Sequence, residues 1–77
     1  MNKHRRKRLE KIAQQLEPLH QLVEEARDEE QAYHDAMPVG IDESPRAETA
    51  DEAITWQEQA SSGLEEALEG LRAAAEI

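Results

Sequence analysis

The sequence predicts an all-α fold: an antiparallel, coiled-coil-like helical hairpin that pairs with a second copy into a four-helix bundle. The only segment dense in turn formers is 37–45, near the middle of the 77 residues. On both sides of it, apolar residues recur at alternating intervals of three and four. Good helix formers dominate both flanks. We therefore expect a basic head at 1–8, a first helix at 9–37, a loop at 38–44 and a second helix at 45–76.

The first helix is predicted from a heptad repeat. The stripe consists of Leu9, Ile12, Leu16, Leu19, Val23, Ala26, Glu30, Tyr33 and Met37. A mean spacing of about 3.5 residues keeps such a stripe facing a partner helix along its whole length. Pro18 lies inside the pattern, and because a proline removes one backbone hydrogen bond we expect a kink near residues 14–18.

Two prolines define the boundary between the helices. Pro38 disfavours helical backbone at Met37 and so ends the first helix. Ser44 and Pro45 suit the N-cap and the first position of the second helix. The second stripe consists of Ala50, Ile54, Gln57, Ser61, Leu64, Leu68, Leu71 and Ala75. Beside it runs a ribbon of small residues, Ala53, Ala60, Ala67 and Ala74, which lets another helix approach closely.

Self-association is predicted from the size of the expected core. A hairpin of two helices buries one stripe of each helix, and a chain this small gains only about 3–5 kcal/mol from a single core. Pairing two hairpins into a four-helix bundle adds the missing apolar contacts. The residues expected to support it are Leu9, Ile12, Leu16, Leu19, Val23, Ile54, Leu64, Leu68 and Leu71. The alternative is a monomeric hairpin that completes its bundle on a target protein.

Charge is divided between the head and the rest of the chain. Residues 1–11 carry a net charge of +5 and residues 12–77 one of −14, which together give the formal −9. The head could contact nucleic-acid phosphates, although it lacks interleaved aromatic residues and could be disordered until bound. The candidates for that contact are Lys3, Arg5, Arg6, Lys7 and Arg8.

The acidic remainder suits a basic groove on a protein partner. Its candidate contacts are Glu24, Glu25, Asp28 and Glu29, with Trp56 as an anchor because tryptophan is frequent in binding hot spots. The sequence leaves open whether Trp56 covers the shoulder of the bundle or is exposed.

Motifs for chemistry are absent from the sequence. The chain has no cysteine, which excludes disulfides, thiolate metal sites and a cysteine nucleophile. His20 and Glu24 are spaced for a shared metal on one helix, but a site needs at least one more ligand. No apolar run approaches the roughly 20 residues of a membrane span. We therefore expect a non-enzymatic protein with no catalytic residues, no cofactor and no metal site, and without a membrane partner.

One resemblance adds a biological setting. The segments Arg27–Tyr33, Met37-Pro38, Ser44-x-Arg46-x-Glu48 and Glu52–Ile54 are similar to a recurrent family of short acidic, helical phage and prophage proteins. The resemblance implies a small cytoplasmic protein that acts in a bacterial host cell. Within that setting we expect binding and modulation or inhibition of a host protein, such as a defence or nucleic-acid-handling factor. The alternatives are a homodimeric adaptor and a nucleic-acid accessory protein that uses the basic head.

Overall fold

Two long helices pack antiparallel in the computed structural model, which describes residues 2–37 and 45–77. Helix α1 spans Lys3–Asp35 and helix α2 spans Pro45–Ala75. Contacts from Glu17 to Arg72 and from Arg27 to Glu58 establish the antiparallel register. The all-α hairpin predicted from the sequence is confirmed. The predicted loop at 38–44, with the Ser44 cap, lies outside the described residues.

Helix α1 begins six residues before the predicted start at Leu9. The side chain of Asn2 caps it, because its Oδ1 accepts a hydrogen bond of 2.8 Å from the backbone N–H of Arg5. The basic head is therefore helical from Lys3 onward, whereas the sequence reading had allowed for a disordered head. The helix continues through Pro18 and ends at Asp35, two residues before the predicted Met37.

Helix α2 begins at Pro45 as predicted and ends at Ala75, one residue early. A proline suits this first position because its missing N–H would have no partner inside the helix. The hydroxyls of Thr49 and Thr55 donate to the carbonyls of Pro45 and Asp51 one turn earlier, at 2.8 and 3.0 Å. These bonds satisfy both hydroxyls without using any contact to α1.

The internal stripe of α2 is the predicted one, but the stripe of α1 differs in every second residue. Ile12, Leu19 and Tyr33 were expected inside and are instead 40%, 53% and 44% exposed, and Ala26 is exposed as well. The residue that follows each of them faces α2 instead. The internal stripe of α1 is Arg6, Leu9, Ala13, Leu16, His20, Val23, Arg27, Glu30, His34 and Met37.

Polar pairing explains this choice of register. The middle of the α2 stripe is polar, with Gln57 and Ser61 in place of large apolar residues. His20 meets Ser61 there, and Arg27 reaches Glu58. His20 and Ser61 are hydrogen-bond partners across the hairpin, whereas Leu19 packed over Ser61 would remove that partner of the hydroxyl.

The resulting core is small. The buried apolar residues among those described are Ala13, Ala47, Ala50, Ile54, Leu68 and Ala75, four of them alanines. The molecule measures 59 × 15 × 12 Å, so each helix has one side against its neighbour and the rest against solvent. Within the described part of the chain, neither helix is long and apolar enough to span a membrane.

Candidate interaction surfaces

The hairpin has two long sides of opposite character. We letter the heptads so that the internal residues of both helices are positions a and d, with Ala13 and Ile54 at a. One side of the hairpin is then formed by positions e and b of both helices, and the other by positions g and c. Side-chain contacts between the helices support this lettering, because those of Arg27, His34 and Glu17 all reach position e of α2.

The side formed by positions e and b is the acidic face. Its acidic residues among those described are Glu10, Glu17, Glu24, Asp28, Asp35, Glu48, Asp51, Glu58, Glu65, Glu69 and Glu76. The basic groups on or reaching this face are Lys3, Lys7, Arg27 and Arg72. The described part of the acidic face therefore carries seven negative charges in excess.

Arg27 supplies the main polar contact between the helices on this face. Its guanidinium donates to Glu58 Oε1 at 2.9 and 3.3 Å and to Asp28 Oδ1 at 3.0 Å. The hydrogen bond to Glu58, followed by that to Asp28, raises the pKa of Arg27 above its ordinary value. A group whose pKa is raised on folding stabilises the fold while it is charged. Arg27 therefore contributes while Glu58 and Asp28 are ionised, and its contribution is lost as pH rises through its raised pKa.

Two further pairs fix the ends of the hairpin in the same register. Arg72 Nη2 lies 2.6 Å from Glu17 Oε2 near the C-terminal end of α2. His34 Nε2 lies 3.0 Å from Asp51 Oδ1 near the other end. These pairs are exposed or half-exposed, so each contributes little stability on its own. Their joint effect is to select one alignment of the two helices.

His20 lies in the internal stripe of α1, beside the middle of the acidic face, and at 8% exposed it is the one buried polar residue in the described part of the chain. Its Nε2 is 3.0 Å from Ser61 Oγ, 3.2 Å from Glu24 Oε1 and 3.7 Å from Glu65 Oε1. The sequence spacing indicated the pair of His20 and Glu24 but lacked a third ligand. The fold brings Glu65 to them, and one ligand atom from each residue lies within 4.8 Å of the others.

This cluster has the donor types of a zinc site with three protein ligands. The two carboxylates are on the surface, and Ser61 already provides a hydrogen-bond partner for the imidazole. The arrangement is therefore complete without an ion, and the prediction that the chain has no metal site stays a prediction.

The side formed by positions g and c is the apolar face. Helix α1 contributes Ile12, Leu19, Leu22, Ala26 and Tyr33, and α2 contributes Ala53, Trp56, Ala60, Gly63, Ala67, Gly70 and Ala74. Glu29 is the only acidic residue on the described part of the apolar face. At the loop end, Arg46 stacks 5.9 Å from the centre of the Tyr33 ring and donates to the Tyr33 hydroxyl at 2.7 and 3.1 Å.

The predicted partner-binding residues do not form one patch. Glu24 and Asp28 lie on the acidic face, and Glu25 lies on the outer column beside it. Glu29 and Trp56 lie on the apolar face, and Trp56 is 61% exposed. The prediction grouped these acids by sequence proximity, but successive helical residues point in directions about 100° apart.

The predicted self-association residues also divide into two sets. Ile12 and Leu19 lie on the apolar face. The other seven, which are Leu9, Leu16, Val23, Ile54, Leu64, Leu68 and Leu71, lie in the internal seam between α1 and α2.

The basic residues of the head surround the first turns of α1. His4, Lys7, Arg8 and Lys11 line one open depression, because residues spaced by three, four and seven share a helix face. Arg6 points toward α2 and its Nε is buried without a hydrogen-bond partner. Of the five residues predicted to contact nucleic acid, two therefore belong to the same basic stripe.

The comparisons with known proteins do not assign the chain to a group. No family model, no curated protein and no solved structure matches it.

Proposed function

We propose that the protein is a small, non-enzymatic binding protein that modulates a protein partner by placing its acidic face in a basic groove. The observation that carries this proposal is the segregation of charge. The acidic face has seven negative charges in excess among its described residues, whereas the described part of the apolar face has one acidic residue. A surface with one sign of charge accelerates association with an oppositely charged groove and selects against other partners.

The spacing of the carboxylates supports a nucleic-acid-binding protein as the partner. Seven excess negative charges along a molecule 59 Å long give about one net charge per 8 Å. One strand of DNA carries a phosphate about every 3.4 Å of helix axis. The acidic face thus provides a charge density of the same order as a single strand, on a rigid support, and would compete with nucleic acid for the groove. In line with the phage-type resemblance, we place this partner in the cytoplasm of a bacterial host.

Two matched triple variants test the acidic face. Glu24, Glu65 and Glu69 lie on it and make no contact with an arginine, so their replacement by Gln leaves the helix pairing by Arg27 and Arg72 in place. The control replaces Glu25, Glu52 and Glu66, on the outer column of the same two helices, by Gln. Both variants lose three charges, and each has one change in α1 and two in α2.

The probe is a fluorescently labelled peptide of lysines, titrated by anisotropy at two salt concentrations. Each charge at the rim of a complex contributes about 0.5 kcal/mol, so we expect the acidic-face variant to bind roughly tenfold more weakly and the control to change much less. Binding of both should weaken as salt is added. If the two variants lost the same affinity for the peptide, binding would depend only on total charge. That result would contradict a defined binding face.

Displacement of nucleic acid tests modulation. A labelled DNA duplex is bound to basic bacterial DNA-binding proteins in turn, and the protein is added to each complex. We expect displacement from at least one of them by the wild type and the control, and weaker displacement by the acidic-face variant. Failure to displace the duplex from any of them would reject competition for a nucleic-acid groove.

The basic stripe formed by His4, Lys7, Arg8 and Lys11 favours a second candidate function, direct contact with nucleic-acid phosphates. Its test is direct binding of the same duplex without another protein. Exchange of Arg8 and Lys11, which lie outside the acidic face, for Glu should abolish that binding. The same exchange should leave displacement unaffected if the acidic face is the functional surface.

A further inference from the structure

The hairpin leaves its large apolar side chains on one face. Ile12, Leu19, Leu22, Tyr33 and Trp56 are between 40% and 61% exposed, and all five occupy positions g and c. Ile77, the remaining large exposed hydrophobic residue in the described part of the chain, continues the same column of α2. Single exposed apolar residues are common on protein surfaces, but a set confined to one side of the hairpin is typical of an interface. On α1 this set begins at Ile12, because the same side carries Arg5 and Arg8 before it.

The exposed surface area of the chain can be compared with the area that a protein interface buries. The chain exposes 5897 Å². A compact monomer of 8.7 kDa is expected to expose about 4,700 Å². The difference of roughly 1,200 Å² exceeds the 800 Å² or so that each partner contributes to a protein interface of standard size. This excess is spread over the whole elongated chain, and one long side of a molecule of 59 × 15 × 12 Å has a projected area of roughly 700–900 Å², which is the size that each partner of a stable dimer contributes.

The two halves of the apolar face differ in side-chain size. The α1 half carries the large residues Ile12, Leu19 and Leu22. The α2 half carries alanines and glycines, and a Cβ atom added at Gly63 or Gly70 would meet no atom within 4 Å. A face with one raised and one low half fits a second copy of itself when α1 of each copy lies on α2 of the other, which is the arrangement that a two-fold axis parallel to the helices produces.

The alignment of the helices agrees with this fit. His20 contacts Ser61 and Glu65, so Leu19 is level with the gap between Ala60 and Ala67. A two-fold axis parallel to the helices keeps every residue at the same level along the bundle in both copies. Leu19 of one copy therefore faces the gap between Ala60 and Ala67 of the other copy. Trp56, the large exception on α2, precedes Glu58 by two residues and is therefore level with Glu29 of α1, since Arg27 contacts Glu58.

We infer that the apolar face is the interface between two copies of this chain, with α1 of each copy packed on α2 of the other in a four-helix bundle. This inference concerns the face opposite to the one used in the proposed function. The acidic faces of both copies remain outside the bundle.

A pair of glutamate substitutions tests the interface. Ala60 lies on the apolar face and Ser62 on the acidic side, and both are exposed in the same turn of α2. The solution mass is measured by light scattering over a dilution series for the wild type, Ala60→Glu and Ser62→Glu. We expect the wild type and Ser62→Glu to have twice the chain mass of 8.7 kDa when concentrated. Ala60→Glu should dissociate at a concentration at least about tenfold higher.

Circular dichroism of the same samples shows whether each chain remains helical. A wild type that stays at 8.7 kDa throughout, or an Ala60→Glu dimer as tight as Ser62→Glu, would overturn the inference. If Ala60→Glu lost both its helix and its dimer while Ser62→Glu kept both, the result would support the inference. The two variants carry the same new charge, so only its position would account for the difference. Neither result depends on binding of the lysine peptide by the acidic face.

Disulfide trapping tests how the copies are oriented. The chain contains no cysteine, so Leu19→Cys and Gly63→Cys each introduce a single thiol. Mild oxidation of an equal mixture should yield mainly the mixed disulfide between the two variants. Rapid formation of the Leu19→Cys homodimer instead would mean that α1 lies on α1, and would overturn the proposed packing.

Discussion

A buried amide with no partner gives the sharpest prediction about stability. Gln57 lies in the internal stripe of α2, and its Oε1 is buried without a hydrogen-bond partner. A carbonyl oxygen that loses water on folding and gains no donor costs about 1–3 kcal/mol. We therefore expect Gln57→Leu to stabilise the hairpin, since it removes this cost and adds apolar contact in the same stripe.

The size of the effect follows from the partial burial of the site. Full burial of a leucine side chain contributes about 1.5–3 kcal/mol, and Gln57 is half-buried, so only part of that is available. Together with the recovered desolvation cost, the free energy of unfolding should rise by about 1–3 kcal/mol. In a domain of this size each kcal/mol raises Tm by roughly 4–8 °C.

Gln59→Leu is the matched control for this change. Gln59 is exposed two residues further along α2, so the same substitution there should alter stability by less than about 0.5 kcal/mol. The assay is urea unfolding followed by circular dichroism at two protein concentrations. Equal effects of the two substitutions, or a less stable Gln57→Leu protein, would refute the assignment of Gln57 to the interior of the hairpin.

Two further substitutions test the core and the start of α1. Leu68 is 4% exposed, so Leu68→Ala should lower the free energy of unfolding by about 2–5 kcal/mol, measured by urea titration; a loss below about 1 kcal/mol would contradict its burial. Asn2→Ala removes the cap of α1 and should cost about 0.5–2 kcal/mol. Hydrogen exchange at the Arg5 amide should accelerate in that variant, whereas unchanged exchange would argue against the cap.

The stripe of α2 could be predicted from the sequence because one column of that helix is clearly the most apolar. Leu64, Leu68 and Leu71 define it, and the adjacent columns carry glutamates or alanines. Helix α1 offers two columns of similar geometry. One contains Ile12 and Leu19, and hydropathy alone selects it. The other contains His20 and Arg27, whose partners lie on α2 and cannot be identified before the register of the hairpin is known.

The surfaces were predictable only in part for the same reason. The excess of acidic residues is evident from composition, but its confinement to one face depends on which residues are internal. Glu65 joins His20 and Glu24 only through the packing of the two helices. The cap at Asn2, in contrast, could have been recognised, since asparagine is among the preferred N-cap residues.

The register of α1 links the small core to the exposed apolar face. If Ile12 and Leu19 faced α2 within one chain, the hairpin would bury its large residues and leave His20 and Arg27 to solvent. The observed register places polar pairs between the helices, where they specify one alignment. It also leaves large apolar residues such as Ile12 and Leu19 exposed, where a second copy of the chain would contact them. Since polar pairs select an alignment more effectively than they stabilise it, most of the free energy of a dimer would come from the apolar face. Folding and association of this chain should therefore be strongly coupled.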